Sequence, residues 1–405
     1  MTIETRHFDV IIVGGGIAGS TLGGVLARSG LGVLVIEKTP RFRDRVRGEM
    51  TWPYGVADAL ALGMEELFHQ AGAVELPDAQ GYANQQVHDR YAWATDAIDG
   101  LSELGFLHPR LQEAAFTWAA AQGATMLRPA KATGFTGGGR ATVTVAQEGE
   151  EVQYRARLVV GADGKHSMVR KWTGGQSLAD PEHHRFGGVL VRGVQSDDRQ
   201  ADNVCWVVGE AVKWFAVGPQ QTRLYVAMPT ERLRQTGIAR SFDAFVTFAA
   251  ERMPEGALAQ VAQAGPIGFF PNHDTWASRI AGDRVVLIGD AAGSPDPTLG
   301  HGTALVFHDV RILSEVLLAE AKWEAAIAVF ADQRRRVFAA VNAWDRWNGI
   351  FFETGDAAVR RREGHERARA VDATLGGWAL IEARGPVGLI PDAAARRRFF
   401  GEDLS

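Results

Sequence analysis

Residues Val10–Ser20 read VIIVGGGIAGS, an apolar run that enters a Gly-x-Gly-x-x-Gly turn. This pattern predicts a buried strand, a tight loop and a helix, which together present backbone N–H groups and a helix N-terminus to a pyrophosphate. We expect the helix over Ile17–Arg28 and the next parallel strand over Val33–Ile36. Glu37 closes that strand about twenty residues beyond the glycines, where an acid can pair with adenosine ribose hydroxyls. The other interpretation of Glu37 is a plain solvated charge. The predicted nucleotide ligands in this segment are Gly14, Gly16, Gly19 and Glu37.

Two later apolar runs also end on an acid. Residues 159–170 read VVGADGKHSMVR, and residues 285–292 read VVLIGDAA. The carboxylate of the second run could accept hydrogen bonds from a sugar hydroxyl. Neither a P-loop nor a nucleophile elbow at Ser167 is present, because the spacing that each requires is absent. We therefore expect a dinucleotide held by three strand ends that are far apart in the chain.

The loop at residues 293–302 reads GSPDPTLGHG, so prolines stiffen it before glycines open a helix. Such a loop lets backbone amides approach a flat, electron-rich ring, and helix-terminal N–H groups stabilise negative charge on it. Arg41, Arg43, Arg45 and Arg47 follow the first strand pair. They are either a solvated loop or ligands for the phosphates.

Composition excludes several classes. The net charge of −5 over 405 residues argues against nucleic acid and anionic membranes as partners. A single cysteine, Cys205, rules out an internal disulfide and fits a reducing cytoplasm; a buried small side chain is favoured there over a nucleophile. Met1–Phe8 is polar and leads directly into the first strand, so we expect neither a signal peptide nor a membrane span. His183 and His184 lack a third ligand at metal spacing, so no metal is predicted.

Taken in order, these segments resemble the FAD-dependent aromatic hydroxylases of the para-hydroxybenzoate hydroxylase type (group A flavoprotein monooxygenases), over about residues 8 to 345. The resemblance implies that the first glycine loop and Glu37 hold the ADP half of FAD. It implies that Asp163 serves the pyrophosphate and passing NAD(P)H, and that Gly289 and Asp290 reach the ribityl chain. Further FAD contacts implied by the resemblance are Arg47, Arg110, Pro297, Gly300 and Gly302, with Gln112 a weaker match. One departure is Gly293, where the family commonly has His; geranylgeranyl reductases share this change.

The resemblance also organises the chain as an α/β fold. We expect a discontinuous, Rossmann-like FAD-binding domain with a parallel sheet at residues 1–75, 105–180 and 275–350. The substrate-binding domain, with a mainly antiparallel sheet, is expected at 76–104 and 181–274, and a helical, arginine-rich and solvated C-terminal segment at 351–405. The predicted antiparallel strands are Gly187–Val194, Val204–Val208, Ala211–Gly218 and Arg223–Met228, with a separate hairpin of Thr142–Val145 and Val152–Tyr154. The predicted later helices are Ser241–Met253, Thr303–Glu320 and Trp323–Trp347.

In the family that this chain resembles, reduced flavin and O2 form a C4a-hydroperoxide, which requires a dry, aromatic pocket. Each aromatic residue of the inserted segments could equally belong to the core, but as a group they are expected to face the flavin: Trp206, Trp214, Phe215, Tyr225, Phe269 and Phe270. By resemblance, Arg223 lies beside the isoalloxazine and Tyr225 near the substrate; a salt-bridged strand arginine is the other interpretation. His273 is either a group that acts on a substrate hydroxyl or amine, or a surface turn residue. Pro297 completes the predicted catalytic set.

The sequence therefore predicts a monooxygenase of secondary metabolism, a monomer or homodimer that uses FAD, NAD(P)H and O2 on an aromatic or electron-rich small molecule. The arginines at 41 to 47 favour NADPH. Two alternatives stay open: a flavin-dependent double-bond reductase of the geranylgeranyl reductase type, and a flavin-binding protein without turnover. A halogenase is disfavoured because no Trp-x-Trp-x-Ile-Pro segment is present.

Overall fold

Strands and helices alternate along the chain in the computed structural model, which describes residues 6–196, 200–376 and 378–404. Residues 1–5 lie outside the described residues. They belong to the N-terminal segment for which no signal peptide is expected. The strands are β1 (Arg6–Val13), β2 (Val33–Ile36), β3 (Met50–Thr51), β4 (Val74–Leu76), β5 (Asp78–Ala83), β6 (Gln86–Ala92), β7 (Glu103–Gly105), β8 (Thr125–Leu127), β9 (Lys131–Thr136), β10 (Ala141–Gln147), β11 (Glu150–Gly161), β12 (Ser177–Ala179), β13 (His184–Arg192), β14 (Ala201–Val207), β15 (Glu210–Gly218), β16 (Gln221–Met228), β17 (Ala262–Gln263), β18 (Gly268–Asn272), β19 (Thr275–Ala277), β20 (Ala281–Gly282), β21 (Val285–Leu287) and β22 (Gly293–Ser294).

The α-helices pack against the first sheet and make up much of the C-terminal part of the chain. They are α1 (Ile17–Arg28), α2 (Pro53–Ala61), α3 (Glu65–Ala71), α4 (Trp93–Asp96), α5 (His108–Ala121), α6 (Met168–Trp172), α7 (Thr230–Thr236), α8 (Phe242–Ala250), α9 (Gly302–Ala319), α10 (Trp323–Asn348), α11 (Asp356–Val371), α12 (Ile381–Arg384) and α13 (Ala393–Phe399). None of the helices in the described ranges is both long enough and apolar enough to cross a membrane.

The first sheet has the strand order β20-β21-β11-β1-β2-β8, with β9 and β10 attached to β11. Val10–Val13 pairs in parallel with β2 on one side and with the end of β11 on the other. These strands are continuous apolar runs because both faces of the sheet are covered by protein. The first half of β11 forms the predicted hairpin with β10, and its second half runs parallel to β1. The predicted hairpin is therefore confirmed, and it is continuous with the strand that ends at Gly161.

The second sheet has the order β17-β13-β16-β15-β14-β5-β6, with β18 paired to β13. Its pairs are antiparallel except β14 with β5. The four predicted strands are confirmed with shifts of a few residues at their ends, because burial alone does not mark where a strand stops. The predicted α/β class, with a parallel sheet, a mainly antiparallel second sheet and C-terminal helices, is thus confirmed.

The C-terminal part packs against the end of α10. Trp344 and Trp347 are buried there, and both rings lie 5.5 Å from the ring of Phe399. The predicted helices of α8, α9 and α10 are confirmed. In α11 the arginines Arg360 and Arg367 are exposed, whereas Arg361, Arg362 and Arg369 are half-buried, so this helix is less solvated than expected.

Candidate active site

A cavity of about 700 Å³ lies between the carboxyl ends of the parallel strands and one face of the second sheet. Crevices at this end of parallel strands are the usual ligand sites of α/β folds. The predicted site residues that line the cavity are Gly14, Gly16, Glu37, Arg47, Asp163, Tyr225, His273, Asp290, Pro297, Gly300 and Gly302. The predicted site residues outside the lining are Gly19, Arg110, Arg223 and Gly289.

The glycines of the first loop have two different roles: some pack against backbone, and one borders open space. Gly14 has a φ of +106°, and a Cβ there would lie 2.3 Å from the carbonyl oxygen of Ala162. A Cβ on Gly19 would lie 1.8 Å from the carbonyl oxygen of Gly14, so this glycine brings α1 against the loop. At Gly16 the nearest atom would be Gln112 Nε2, at 3.6 Å. Gly16 therefore leaves room for a ligand, whereas Gly14 and Gly19 serve backbone packing.

Glu37 is held by the main chain at the edge of the cavity. Its Oε2 accepts from Gly15 N at 2.8 Å, and its Oε1 accepts from Thr39 N at 2.6 Å. The residue is 7% exposed and lines the cavity. These two hydrogen bonds fix the direction of the carboxylate, so it is not a freely solvated charge.

Asp163 and Arg170 organise the second strand end. Asp163 caps α6 by accepting from Ser167 Oγ at 2.5 Å and from Met168 N at 2.6 Å. The buried Arg170 donates from Nη1 to Ala291 O at 2.8 Å and from Nη2 to Lys165 O at 2.7 Å. One guanidinium thus connects the loop after β11 to the loop after β21. The sequence motif contained Arg170 without indicating this role.

The loop after β21 is held by an ion pair inside the helices. Gly289 N donates to Asp309 Oδ2 at 2.8 Å, and Asp309 Oδ1 lies 2.6 Å from Arg334 Nε. Arg334 also donates to Gly293 O at 3.1 Å. Burial raises the pKa of Asp309, and the attraction of Arg334 opposes that rise. Sequence reasoning missed this pair, because both residues lie inside helices and belong to no motif.

The proline loop is fixed by a network around Asn272. Asn272 Nδ2 donates to Asp296 Oδ1 at 2.8 Å and lies 2.6 Å from Thr298 Oγ1, which is itself 2.7 Å from His184 Nε2. Asp296 N donates to Asp274 Oδ1 at 2.8 Å. Burial, with repulsion from Asp296, raises the pKa of Asp274 to about 7, and burial lowers the pKa of His184 to about 4. These side-chain and main-chain contacts hold the loop that carries Pro297.

The histidine pair differs from the sequence expectation. No third ligand was expected beside His183 and His184, but Asp296 Oδ2 lies 3.5 Å from His183 Nε2 and 4.0 Å from His184 Nε2. The expectation was wrong on this point because the 112-residue separation between His184 and Asp296 hides their proximity in the fold. The two Nδ1 atoms are 2.5 Å apart, and the His184 ring stacks on Phe352. These contacts supply partners to both rings, and the absence of a metal stays a prediction.

The position of each aromatic residue on its strand decides whether it lines the cavity. Phe215, Tyr225 and Phe270 line the cavity together with Phe186. Successive strand residues point to opposite faces, so Trp214 and Phe269 face away and pack on Tyr82 and Phe245. Trp206 lies opposite Ala211 on the cavity face of the sheet, but it packs on Phe351 and Phe352 outside the cavity. Half of the expected aromatic wall is therefore core.

Glu49 lines the cavity and joins the buried Arg223 to Tyr225. Glu49 Oε2 accepts from Arg223 Nε at 2.5 Å and from Tyr225 OH at 2.6 Å, while Glu49 Oε1 accepts from Arg223 Nη2 at 2.6 Å. Arg223 also pairs with Asp44 at 2.8 Å and is fully buried. The structure therefore shows the salt-bridged interpretation of Arg223. Burial raises the pKa of Glu49, with Arg223 opposing the rise, and burial raises the pKa of Tyr225.

Three histidines, His108, His166 and His273, line the cavity, and Arg110 does not. His273 Nδ1 is buried and has no hydrogen-bond partner among the described residues, and burial lowers the pKa of the ring. His108 Nδ1 lies 2.6 Å from Gly48 O. Arg110 is exposed at the start of α5.

Lys213 is a cavity residue that sequence reasoning missed. Its Nζ lies 2.9 Å from Asp202 Oδ2 and 5.0 Å from the centre of the Trp52 ring. It stands directly across β15 and β16 from Tyr225. Only strand register, which the sequence does not give, could have placed it there.

The C-terminal segment reaches the loop at residues 299–302. Trp344 Nε1 donates to Glu382 Oε1 at 2.8 Å, and Glu382 Oε1 lies 3.4 Å from His301 Nε2. On the other side of the loop, Trp52 Nε1 donates to Leu299 O at 2.8 Å. Residues from both ends of the chain thus support the loop.

Comparison with known proteins identifies the architecture. A family model described as "FAD binding domain" matches residues 7–344. The chain is 24% identical over 324 residues to squalene epoxidase 3 of Arabidopsis thaliana, covering 76% of this chain and 60% of that protein. It is 28% identical over 344 residues to the ubiquinone hydroxylase UbiL of Rhodospirillum rubrum, covering 77% and 72%. The chain spans 54–60% of the length of the plant squalene epoxidases that it matches. The crystal structure of p-nitrophenol 4-monooxygenase PnpA from Pseudomonas putida DLL-E4 aligns with a TM-score of 0.77 and 18% identity, covering 91% of this chain and 95% of that one.

Proposed function

The chain belongs to the FAD binding domain family, and from this we propose that it is an FAD-dependent monooxygenase. In this proposal it uses NAD(P)H and O2 to hydroxylate or epoxidise an aromatic or electron-rich small molecule. The observation that carries the proposal is a single cavity with two chemically different ends. One end has the glycine loop and Glu37, and the other has aromatic side chains of the second sheet.

The residues present fit FAD. A Cβ at Gly302 would meet no atom within 4 Å, and at Gly16 it would meet only Gln112, so both leave space for a ligand at a helix start. Arg45, Arg47 and Lys165 line the same cavity and suit a diphosphate. Glu37 would accept from the adenosine ribose, and Asp163 and Asp290 would serve the pyrophosphate and ribityl parts.

Bound FAD would supply the redox chemistry, taking hydride from NAD(P)H and activating O2. The protein would hold the ring along the loop of Pro297, Gly300 and Gly302, where the start of α9 favours negative charge. Phe186, Phe215 and Phe270 would exclude water from the reacting end. Tyr225 and His273, both in the lining, would contact the substrate, and Arg223 would position Tyr225 through Glu49.

The names of the curated relatives support an oxygenase over a reductase, since they include an epoxidase and a hydroxylase. Gly293, the departure that motivated the reductase alternative, has a packing explanation. A Cβ there would lie 3.1 Å from both Phe338 Cε2 and Thr275 O, so a histidine would not fit without movement of its neighbours. No observation separately favours the reductase.

Three finer assignments belong to the proposal. Residues 1–75, 105–180 and 275–350 would form the FAD-binding unit, 76–104 and 181–274 the substrate-binding unit, and 351–405 a helical appendage. NADPH would be the preferred reductant, given the arginines near the diphosphate end. A cytoplasmic location would suit the single buried Cys205, and the assembly would be a monomer or homodimer.

The test is turnover of the purified, FAD-loaded protein with a panel of phenols, naphthols and aryl carboxylates. We expect substrate-stimulated NAD(P)H oxidation, matching O2 uptake, and incorporation of one atom from ¹⁸O₂ into the product by mass spectrometry. A Gly16→Val variant should fold, fail to retain FAD and show none of these signals. Product formed without O2 would instead support a reductase. Background NAD(P)H oxidation with every compound, while FAD stays bound, would support a binding protein without turnover.

A further inference from the structure

Lys213 gives the aromatic wall of the cavity a positive charge. Among the described residues, the second-sheet strands contribute six side chains to the lining, and Lys213 is the only cation in that set: Phe186, Lys213, Phe215, Tyr225, Phe270 and Pro271. The rings are closely packed, since Phe186 stacks on Tyr225 with centres 4.7 Å apart. A flat ring laid on this wall would lie close to the ammonium group.

The partners of Lys213 lie behind the wall. Asp202 is fully buried and absent from the lining, and its Oδ2 is 2.9 Å from Lys213 Nζ. Glu103, also fully buried, lies near this pair. Burial and repulsion from Asp202 raise the pKa of Glu103 well above its usual range, and burial also raises the pKa of Asp202. Neither acid belongs to the lining, whereas Lys213 does, so the ammonium is the member of this cluster that faces the cavity.

The ammonium group has donors left for a ligand. An ammonium carries three N–H donors. Among the described residues its only oxygen partner within ion-pair distance is Asp202; its other near contacts are Met50 Sδ at 3.3 Å and the faces of Trp52 and Phe215. Sulfur and ring faces are weak acceptors compared with an anionic oxygen. Lys213 is 9% exposed, so water satisfies these donors poorly.

The neighbouring acid does not compete for this charge. Glu49 lines the cavity nearby, but both of its carboxylate oxygens accept from Arg223, and Oε2 also accepts from Tyr225. Glu49 is thus neutralised by its own arginine. The donors of Lys213 that Asp202 does not occupy are therefore not taken up by Glu49.

We propose that Lys213 binds an anionic oxygen of an aromatic substrate, so that the preferred substrates are aromatic acids whose carboxylate or phenolate lies against this residue. This inference rests on the proposed function, because it assigns the aromatic end of the cavity to the substrate. Lys213 determines specificity in this proposal and takes no part in oxygen transfer. Asp202 positions the ammonium group.

The experiment compares two probes of nearly equal shape, 2-naphthoate and 2-naphthamide, by calorimetric titration into the FAD-loaded protein. We expect the carboxylate to bind at least about tenfold more tightly than the amide. In Lys213→Met the preference should fall to about one. Because that change leaves Asp202 buried without its partner, the double variant Asp202→Asn/Lys213→Met provides a neutral pair with less cost to folding. Lys171→Met, an exposed lysine on α6, is the matched control and should keep the wild-type preference.

Several results would overturn the inference. Equal binding of the two probes by the wild type would do so, and so would an undiminished preference in both Lys213 variants. Failure of both probes to bind would also refute it. These outcomes are separable from the proposed function. If ¹⁸O is incorporated into neutral substrates only, the monooxygenase proposal is supported and recognition by Lys213 is refuted. If naphthoate binds in a Lys213-dependent way but is not turned over, recognition by Lys213 is supported and the monooxygenase proposal is not.

Discussion

The two walls of the cavity are built by different means. On the nucleotide side, the chain presents main-chain groups at strand ends, and glycines are placed where a Cβ would meet backbone, as at Gly14 and Gly19. On the side of the second sheet, the chain presents side chains selected by strand alternation, such as Lys213 and Tyr225. A wall made of backbone constrains residue type strongly and leaves a motif. A wall made of side chains depends on register and leaves none.

The largest expected effect tests the backbone wall. Gly19→Ala would place a methyl group 1.8 Å from Gly14 O, in backbone that cannot yield locally. We expect a loss of about 4 kcal/mol or more in the free energy of unfolding, with or without FAD. Chemical denaturation of the apoprotein measures it. Gly139→Ala, in an open turn, is the control and should stay near wild type. A Gly19→Ala apoprotein as stable as the wild type would contradict the claim that the backbone wall constrains residue type.

The next effect concerns the side chains that support the backbone wall. Arg334→Met leaves the fully buried Asp309 without its ion-pair partner, and we expect it to cost about 3–5 kcal/mol. Thermal and urea unfolding measure the change, and Asp309→Asn/Arg334→Met should recover part of it. The neighbouring Arg335 is largely exposed, so Arg335→Met should change stability by less than about 0.5 kcal/mol. Equal effects at Arg334 and Arg335 would contradict the role of the pair.

The pH dependence tests the junction of the two walls at Asp274. Its pKa in the folded protein is about 7, above the ordinary 3.8, so the folded state binds the proton more tightly than the unfolded state. The contribution of Asp274 to the free energy of unfolding is therefore present at low pH and is lost as the pH rises from about 4 towards 7. In total it is on the order of 2–4 kcal/mol. Asp274→Asn should flatten this part of the curve of unfolding free energy against pH. The exposed Asp243→Asn is the control, and an unchanged slope in Asp274→Asn would refute the prediction.

A smaller effect sharpens the side-chain wall. Tyr225→Phe removes the hydroxyl that donates to Glu49, and a lost hydrogen bond to a charged group costs about 1.5–3 kcal/mol. Equilibrium unfolding should show this loss. The hydroxyl of Tyr91 is buried without a hydrogen-bond partner among the described residues, so Tyr91→Phe should be neutral or stabilising. Similar losses in the two variants would mean that packing, not the bond to Glu49, is responsible.

The smallest effect separates two arginines that the family resemblance treats alike. Arg47 lines the cavity, whereas Arg110 is exposed and lies outside the lining. We expect Arg47→Met to weaken FAD binding by about tenfold or more and Arg110→Met to change it by less than about twofold. Fluorescence titration of the apoproteins with FAD measures both constants. A larger loss at Arg110 would show that the diphosphate lies outside this cavity.

What could be predicted from the sequence follows the same division. The helix Ile17–Arg28 and the strand Val33–Ile36 have the predicted bounds, because glycines, apolar runs and a closing acid mark them locally. The supporting ion pairs could not be predicted in this way. Glu49 and Arg223 are 174 positions apart, and only the fold brings them within 2.5 Å. The aromatic wall was half predicted, since composition marked the segment but could not choose the strand face.

The contact of Glu382 with Trp344 and His301 has a practical consequence for handling the protein. A chain shortened before Ile381 would leave the indole N–H of Trp344 in an apolar interior and would remove Phe399 from between the two tryptophans. We expect such truncations to be recovered with poor flavin occupancy, although they retain every glycine motif. Affinity tags and fusion partners are therefore better attached at the N-terminal side, because Arg6 and His7, the first described residues, are exposed.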